Sequence, residues 1–296
     1  MFFNDRETII RLTPEWTGER MADGRPKVPA EVLQRIRNIT FEEAWAPLWD
    51  AGYRNNWECD FRTTSPGTLL VGRAVTAVMV PRRPDLDKAL MDIGTKEEGY
   101  HGFFNQWVID HLTEDDVVVV DLYDKIFEGT YVGGNLSTAI RTRTKRGGAV
   151  IWGGVRDLQQ IAEMPGFQIF YRGTDPTGIG NCSMTGYNTP CRIGQAICMP
   201  GDVVLGTISG VIFIPAHMAE SVAERAEKNH VRDFFGFDRL KSGTYTTAQI
   251  DRPWTLPMYE DFLQWFSEDP RAAEYQHLKW DREIEEARRA QEAGNG

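Results

Sequence analysis

A chain of 296 residues is long enough to bury a substantial core, either as one large domain or as two small ones. With 41% hydrophobic and 26% charged residues it falls in the ordinary soluble globular class. A formal net charge of −10 argues against a nucleic-acid surface, and no run approaches the ~20 apolar residues of a membrane helix, so neither partner is expected.

The first stretch, MFFNDRETIIRLTPEW, turns charged at Asp5 and lacks the long apolar core of a secretory signal. Residues 1–28 read as an arm, and PAEVLQRIRNI (29–39) as a helix with Val32, Ile36 and Ile39 on one stripe. TFEEAWAPLWDAGY (40–53) opens with Thr40 and Glu43 at capping-box spacing and stops near Gly52. TLLVGRAVTAVMVP (68–81) predicts a strand, residues 97–112 a helix, and DDVVVVDLY (115–123) a second strand.

The middle is denser. NLSTAIRTRTKRGG predicts a helix with a glycine stop, AVIWGGV (149–155) a buried strand, DLQQIAEM a short helix and FQIFYRG another strand. Three or four short strands punctuated by Gly and Pro-Gly turns follow through Pro215, and then an amphipathic helix over 216–230. The charged tail carries Phe262, Trp265 and Phe266 on a narrow apolar stripe. The expected organisation is an N-terminal arm and helix (1–39), an α/β domain (40–231) and a mostly helical C-terminal extension (232–296).

The common catalytic signatures are missing: no GxxxxGK[ST], GxSxG or HExxH is present, and GTDPTGIGN fails the dinucleotide spacing. The five histidines are scattered, and Cys59, Cys182, Cys191 and Cys198 form no CxxC pair, so they read as reduced thiols of a cytoplasmic protein. The triplets at Asn38, Asn135 and Asn181 are then not glycosylation acceptors.

Chemistry concentrates between Gly133 and Asp157. Gly133-Gly134 precede a helix with Asn135 as its expected cap, and a helix start offers free N–H groups to an anion. The strand 149–155 then delivers Arg156 and Asp157 to its carboxyl end, the edge where ligands gather in α/β sheets. Arg there can fork onto a carboxylate and Asp can hold Mg²⁺, although the same two residues could form an internal salt bridge. Asp121 and Asp124, near the end of VVVVD, are candidate outer ligands, with loop solvation or capping as the plainer role. Glu220 and Glu224 are further acids on a helix, and Arg192 is a strand arginine that could face an acidic substrate. Trp45, Trp49, Tyr53, Trp57 and Phe61 could cradle a ring, but helical spacing makes Trp45 and Trp49 core or interface anchors first.

GGNLSTAIRTRTKRGGAVIWGGVRDLQQI, followed by FQIFYRGTDPTG, NTPCRIGQAICMPGD and GVIFIP, resembles the RraA-like family over roughly residues 40–230. That family includes class II 4-hydroxy-4-methyl-2-oxoglutarate / 4-carboxy-4-hydroxy-2-oxoadipate aldolases and the RraA regulators of ribonuclease activity. The resemblance implies an α/β fold of the β/β/α swivelling-domain kind with helical N- and C-terminal extensions. It also implies trimers or hexamers with active sites between subunits. It further implies Asp157 as ligand to Mg²⁺ or Mn²⁺ and Arg156 on the pyruvyl part of a small acidic substrate. The anion cradle would be Gly134 with the amides of Leu136 and Ser137, and the chemistry retro-aldol cleavage or decarboxylation of a 2-oxo acid. Two positions depart from the family pattern. The upstream acid is Asn135, which can orient a water but cannot take its proton, and the late DxDG turn reads TISG (207–210). A non-catalytic regulator, or a metal-dependent hydratase or epimerase of a sugar acid, are the alternatives these departures leave open.

Overall fold

The computed structural model describes residues 4–294. These fall into two compact units, the first ending at Val222 and the second beginning at Ala223. The first unit begins with α1 (Arg6–Leu12), α2 (Ala30–Ile36) and α3 (Phe41–Asp50), then the short β1 (Trp57–Glu58) and β2 (Arg62–Thr63) and the long β3 (Leu70–Pro81). It continues through α4 (Pro84–Asp92), α5 (Phe104–Asp110), β4 (Asp116–Val132), α6 (Gly134–Thr144), β5 (Ala149–Val155), α7 (Leu158–Ala162) and β6 (Ile169–Thr174). Five short strands close it: β7 (Cys182–Tyr187), β8 (Cys191–Ile193), β9 (Ala196–Cys198), β10 (Val203–Thr207) and β11 (Gly210–Ile214). After α8 (Ala219–Ser242) come α9 (Thr247–Ile250), α10 (Leu256–Glu268) and α11 (Asp281–Gly294).

The main sheet runs β1-β11-β10-β3-β4-β5-β6-β2, with β7 also on β3, and its centre, β3 to β6, is parallel. Alternation along β4 sorts the two faces. Val118, Val120 and Leu122 join the core under α5, α6 and α7, while Val117 and Val119 pack with Cys191, Ile193, Ala196 and Cys198 of the separate β8–β9 hairpin. Helices, central sheet and a small second β layer thus stack on one another, the α/β layering expected from sequence. The second unit has its own aromatic core around Phe235, Trp254, Phe262, Trp265 and Trp280.

Local rules account for several boundaries. Thr40 Oγ1 accepts the Glu43 N–H at 3.2 Å and Glu43 accepts the Thr40 N–H at 2.7 Å, the capping box that fixes the start of α3. The single helix expected over 97–112 is replaced by α4, which starts on Pro84 and runs into a π-turn at Ile93–Glu97, and by the separate α5. Gly99 and Gly102 sit at φ +74° and +82°, which breaks any continuous helix there. The second strand, expected to stop at residue 123, extends to Val132 through an irregular stretch. Asp121 to Val132 of β4 oppose only Trp152 to Val155 of β5, and Tyr123, Asp124 and Glu128 take positive φ inside the bulge.

The arm is anchored as well as extended. Arg25, 2% exposed, donates from Nη1 to Asp116 Oδ1 at 2.8 Å and from Nε to Asp23 at 2.7 Å, and Asp116 is fully buried. Burial opposes the guanidinium charge, but Asp116 and Asp23 together raise its pKa.

Candidate functional site

Gly153-Gly154 are small because β4 bulges over them. A Cβ at Gly153 would meet Leu122 Cβ at 2.7 Å, and one at Gly154 would meet the Gly129 carbonyl at 3.0 Å. Beyond them the Arg156 N–H donates to the Val132 carbonyl at 3.1 Å, continuing the ladder for one more residue. Asp157 then turns the chain at φ +58°, a left-handed conformation that aspartate tolerates better than most residues, and α7 begins. The outcome is two half-exposed charged side chains, 42% and 40% exposed, at the carboxyl end of a central parallel strand.

They are not a plain salt bridge. Arg156 Nε stands 3.7 Å from Asp157 Oδ2, whereas that same oxygen accepts the Gly134 N–H at 2.9 Å. Asp157 therefore caps α6 from across the sheet. The expected cap, Asn135, lies inside the first turn, because the helix starts at Gly134 with Gly133 as its extended cap residue. Gly133 has to be bare: a Cβ there would run into the Asp157 carboxylate and lie 2.8 Å from Arg156 Nε.

The anion cradle needs one correction. The Ser137 N–H donates to the Gly133 carbonyl at 3.0 Å, so it belongs to the helix ladder, and the side chain is buried. With the Gly134 N–H spent on Asp157, the first-turn amides facing no helical acceptor are those of Asn135 and Leu136. Two neighbours went unread in the sequence. Gln160 Oε1 covers Gly134, and Gly178, from the run GTDPTGIGN, brings its α-carbon face to the guanidinium, where a Cβ would stand 3.4 Å from Arg156 Nη1. Thr177 pins that loop, its hydroxyl accepting the Glu128 N–H at 3.0 Å while its own N–H donates to Asp175 at 2.9 Å. The readable signal was position: a loop following the parallel strand next to β5 must arrive beside Arg156.

The sequence matches the family profile RraA-like (Aldolase/RraA) over residues 45–213, more than half its length. The chain belongs to the RraA-like family. A Halalkalibacterium halodurans protein, named provisionally as a 4-hydroxy-4-methyl-2-oxoglutarate aldolase, is 30% identical over 123 residues, 40% of this chain and 55% of that one. The match thus spans about half the length of that relative. Among solved structures, Streptomyces coelicolor RraAS2, described as an unusual member of the RNase ES inhibitor RraA protein family, superposes with a TM-score of 0.60 at 22% identity. It covers 75% of this chain and 98% of that one. An uncharacterized protein of Pseudomonas syringae pv. tomato superposes at 0.61 with 20% identity, covering 76% and 94%. Both likenesses are of fold.

In this RraA-like chain the other acids singled out in the sequence have surroundings of their own. Asp121 is on the opposite face of β4 from α6, accepting the Tyr123 N–H at 2.9 Å and standing 3.7 Å from Arg192 Nε. Burial raises its pKa against the pull of those two partners. Asp124 pairs with Arg172 Nε at 3.0 Å, and that guanidinium covers the Trp152 ring at 4.4 Å. Arg192 is itself 63% exposed. In the TISG turn the Thr207 hydroxyl accepts the Ser209 N–H at 3.1 Å. Glu220 and Glu224 lie exposed on α8. Trp45 and Trp49 pair with each other at 5.1 Å, and Phe61 packs edge-on to Trp152 at 5.5 Å.

Among the described residues no group of three or more His, Cys, Asp or Glu side chains could hold a metal ion. Asp157 alone fits one of a particular kind. One carboxylate oxygen is fixed by the Gly134 amide and the half-exposed side chain leaves the other open, which suits a hard cation that keeps its waters and completes its shell with substrate oxygens. No helix of the described residues is long and apolar enough to cross a membrane.

Proposed function

We propose that the protein is a cytoplasmic, divalent-metal-dependent lyase that cleaves or decarboxylates a small 2-oxo acid or a related hydroxy-acid. The observation that carries this reading is the fixed pair at the end of β5: Arg156 free to fork onto an oxyanion, and Asp157 pinned at the start of α6 with one oxygen left open. Arg156 binds the substrate carboxylate and draws off the negative charge that develops on the 2-oxo oxygen as the carbon–carbon bond breaks. The amides of Asn135 and Leu136, at the positive end of α6, hold a second substrate oxygen. Asp157 would hold Mg²⁺ or Mn²⁺, and such an ion, when bound, supplies Lewis-acid polarisation of the 2-oxo group. Asn135 orients a water through its amide but cannot accept its proton, so the proton leaves through solvent or a residue of another subunit. A homotrimer or homohexamer with the site between subunits agrees with how open this corner is in a single chain, and light scattering tests it.

The aldolase description of the Halalkalibacterium halodurans relative supports the substrate class. The test is pyruvate release from oxaloacetate and from 4-hydroxy-4-methyl-2-oxoglutarate, with Mg²⁺ and with EDTA. Arg156→Ala is expected to lower kcat/KM by on the order of a hundredfold or more, and Asp157→Ala to abolish the metal dependence, both leaving a folded chain. Turnover unchanged in Arg156→Ala would remove the lyase reading. The exposed amide of Asn135, where an acid was expected, favours a second reading: a binding protein or regulator on the same fold, which requires a stoichiometric protein partner and no metal.

A further inference from the structure

A cavity of about 510 Å³ opens at the amino edge of the parallel strands, the opposite edge from Arg156. Its position follows from register: Asp202 precedes Val203, which pairs with Arg73, which in turn pairs with Asp116 at the start of β4. The size is that of a small-molecule site. Ile197 and Met199 give it an apolar lining, and Trp16 of the arm forms part of its wall. The Trp16 indole N–H is already spent on the Glu19 carbonyl at 2.8 Å, which holds that side chain in place.

The two buried polar side chains that line it, Asn56 and Asp202, offer acceptors. Asn56 is 4% exposed, its Nδ2 donates to the Phe213 carbonyl at 3.3 Å, and its Oδ1 is buried without a hydrogen-bond partner. An unpaired buried amide oxygen is costly, so a donor brought to it is favoured. Asp202, 6% exposed, accepts the Met199 N–H at 2.8 Å, and among the described residues no ion pair reaches it. The one guanidinium in the lining, Arg54, lies 3.8 Å over the Trp49 ring and donates to the Trp49 carbonyl. Tyr53 Oη is 3.3 Å from His217 Nε2, which ties these two lining residues to each other.

We propose that this cavity is a binding site for a planar aromatic ligand carrying N–H donors at one end, an aromatic amine or amidine, whose donors reach Asn56 Oδ1 and the Asp202 carboxyl. The ring lies against Trp16, Ile197 and Met199. Trp16 belongs to a segment that precedes the family match at residue 45, so the site is built partly from this chain's own extension. It shares no residue with the Arg156 corner and stands whether or not that corner is a lyase.

Benzamidine is the probe, with benzoate (same ring, acceptors only) and toluene (ring only) as controls, titrated against the full chain by saturation-transfer NMR. Saturable benzamidine binding at least about tenfold tighter than either control is expected. Asn56→Leu should weaken it about tenfold, as should Asp202→Asn, while toluene binding stays unchanged. Trp16→Ala should weaken all three ring compounds, and it serves if Asn56→Leu fails to fold. Benzoate binding as tightly as benzamidine overturns the proposal. So does benzamidine binding indifferent to the Asn56, Asp202 and Trp16 changes, or the absence of saturable benzamidine binding.

Discussion

Asp157 bears two demands at one side chain. Its backbone turns at φ +58° to end the strand, and its Oδ2 closes the first turn of a helix that begins 23 positions earlier in sequence. On the proposed lyase reading, a carboxylate held this way would lose little further rotamer freedom on meeting a cation. Asp202 shows the opposite electrostatic situation. Burial pushes its carboxyl up to about 7 from an ordinary 3.8, against the pull of the Met199 and Ala216 amides. Between those values the folded chain holds a proton that the unfolded chain has released. Stability therefore falls as pH rises through that window, and the protein is least favoured above it. The wild type should melt lower at about pH 8 than at about pH 5 by an amount equivalent to a few kcal/mol, and Asp202→Asn should flatten that difference, as read by melting temperature at each pH.

The β5–α7 turn and the start of α6 act as one element, joined through the space above Gly133. Gly133→Ala is expected to leave the sheet intact but push Asp157 and Arg156 aside, costing about 1–3 kcal/mol and, on the proposed lyase reading, most of the turnover. Circular dichroism with the pyruvate assay checks it, and an alanine variant with full turnover would show that the corner has room to give. The same element marks the limit of what could be read from sequence. The strand 149–155 and the place of Arg156 and Asp157 at its end were legible, because an apolar run between glycines and a charged pair marks where a buried strand leaves the sheet. So was α3, because a capping box is a local rule. The true cap of α6 was not, since its donor and acceptor come from different strands' ends and no window of sequence contains both. The β4 bulge was hidden for a related reason: pairing with β5 decides it, and the run LYDKIFEGTYV has no single period. The helix at Pro84–Asp92 was missed in a segment that reads as charged loop, RRPDLDKALMD, where only Leu90 is buried.

Across the whole molecule, the family match and the buried ion pairs draw on different stretches of chain. The family match covers residues 45–213, yet Arg25 reaches from outside it to Asp116, a carboxylate with no exposed surface. Arg25→Met should cost about 3–5 kcal/mol, because it leaves an uncompensated buried charge, and adding Asp116→Asn should return part of that loss. Chemical denaturation of the two variants measures both. A double variant no more stable than the single would show that the charge of Asp116 is not the source of the loss. For anyone trimming this protein to the portion it shares with its relatives, the obvious cut at residue 45 is therefore the wrong one. The shortened chain would keep every strand of the sheet and still carry a stranded anion at its centre, so a failure to express would say nothing about whether the shared portion is a domain.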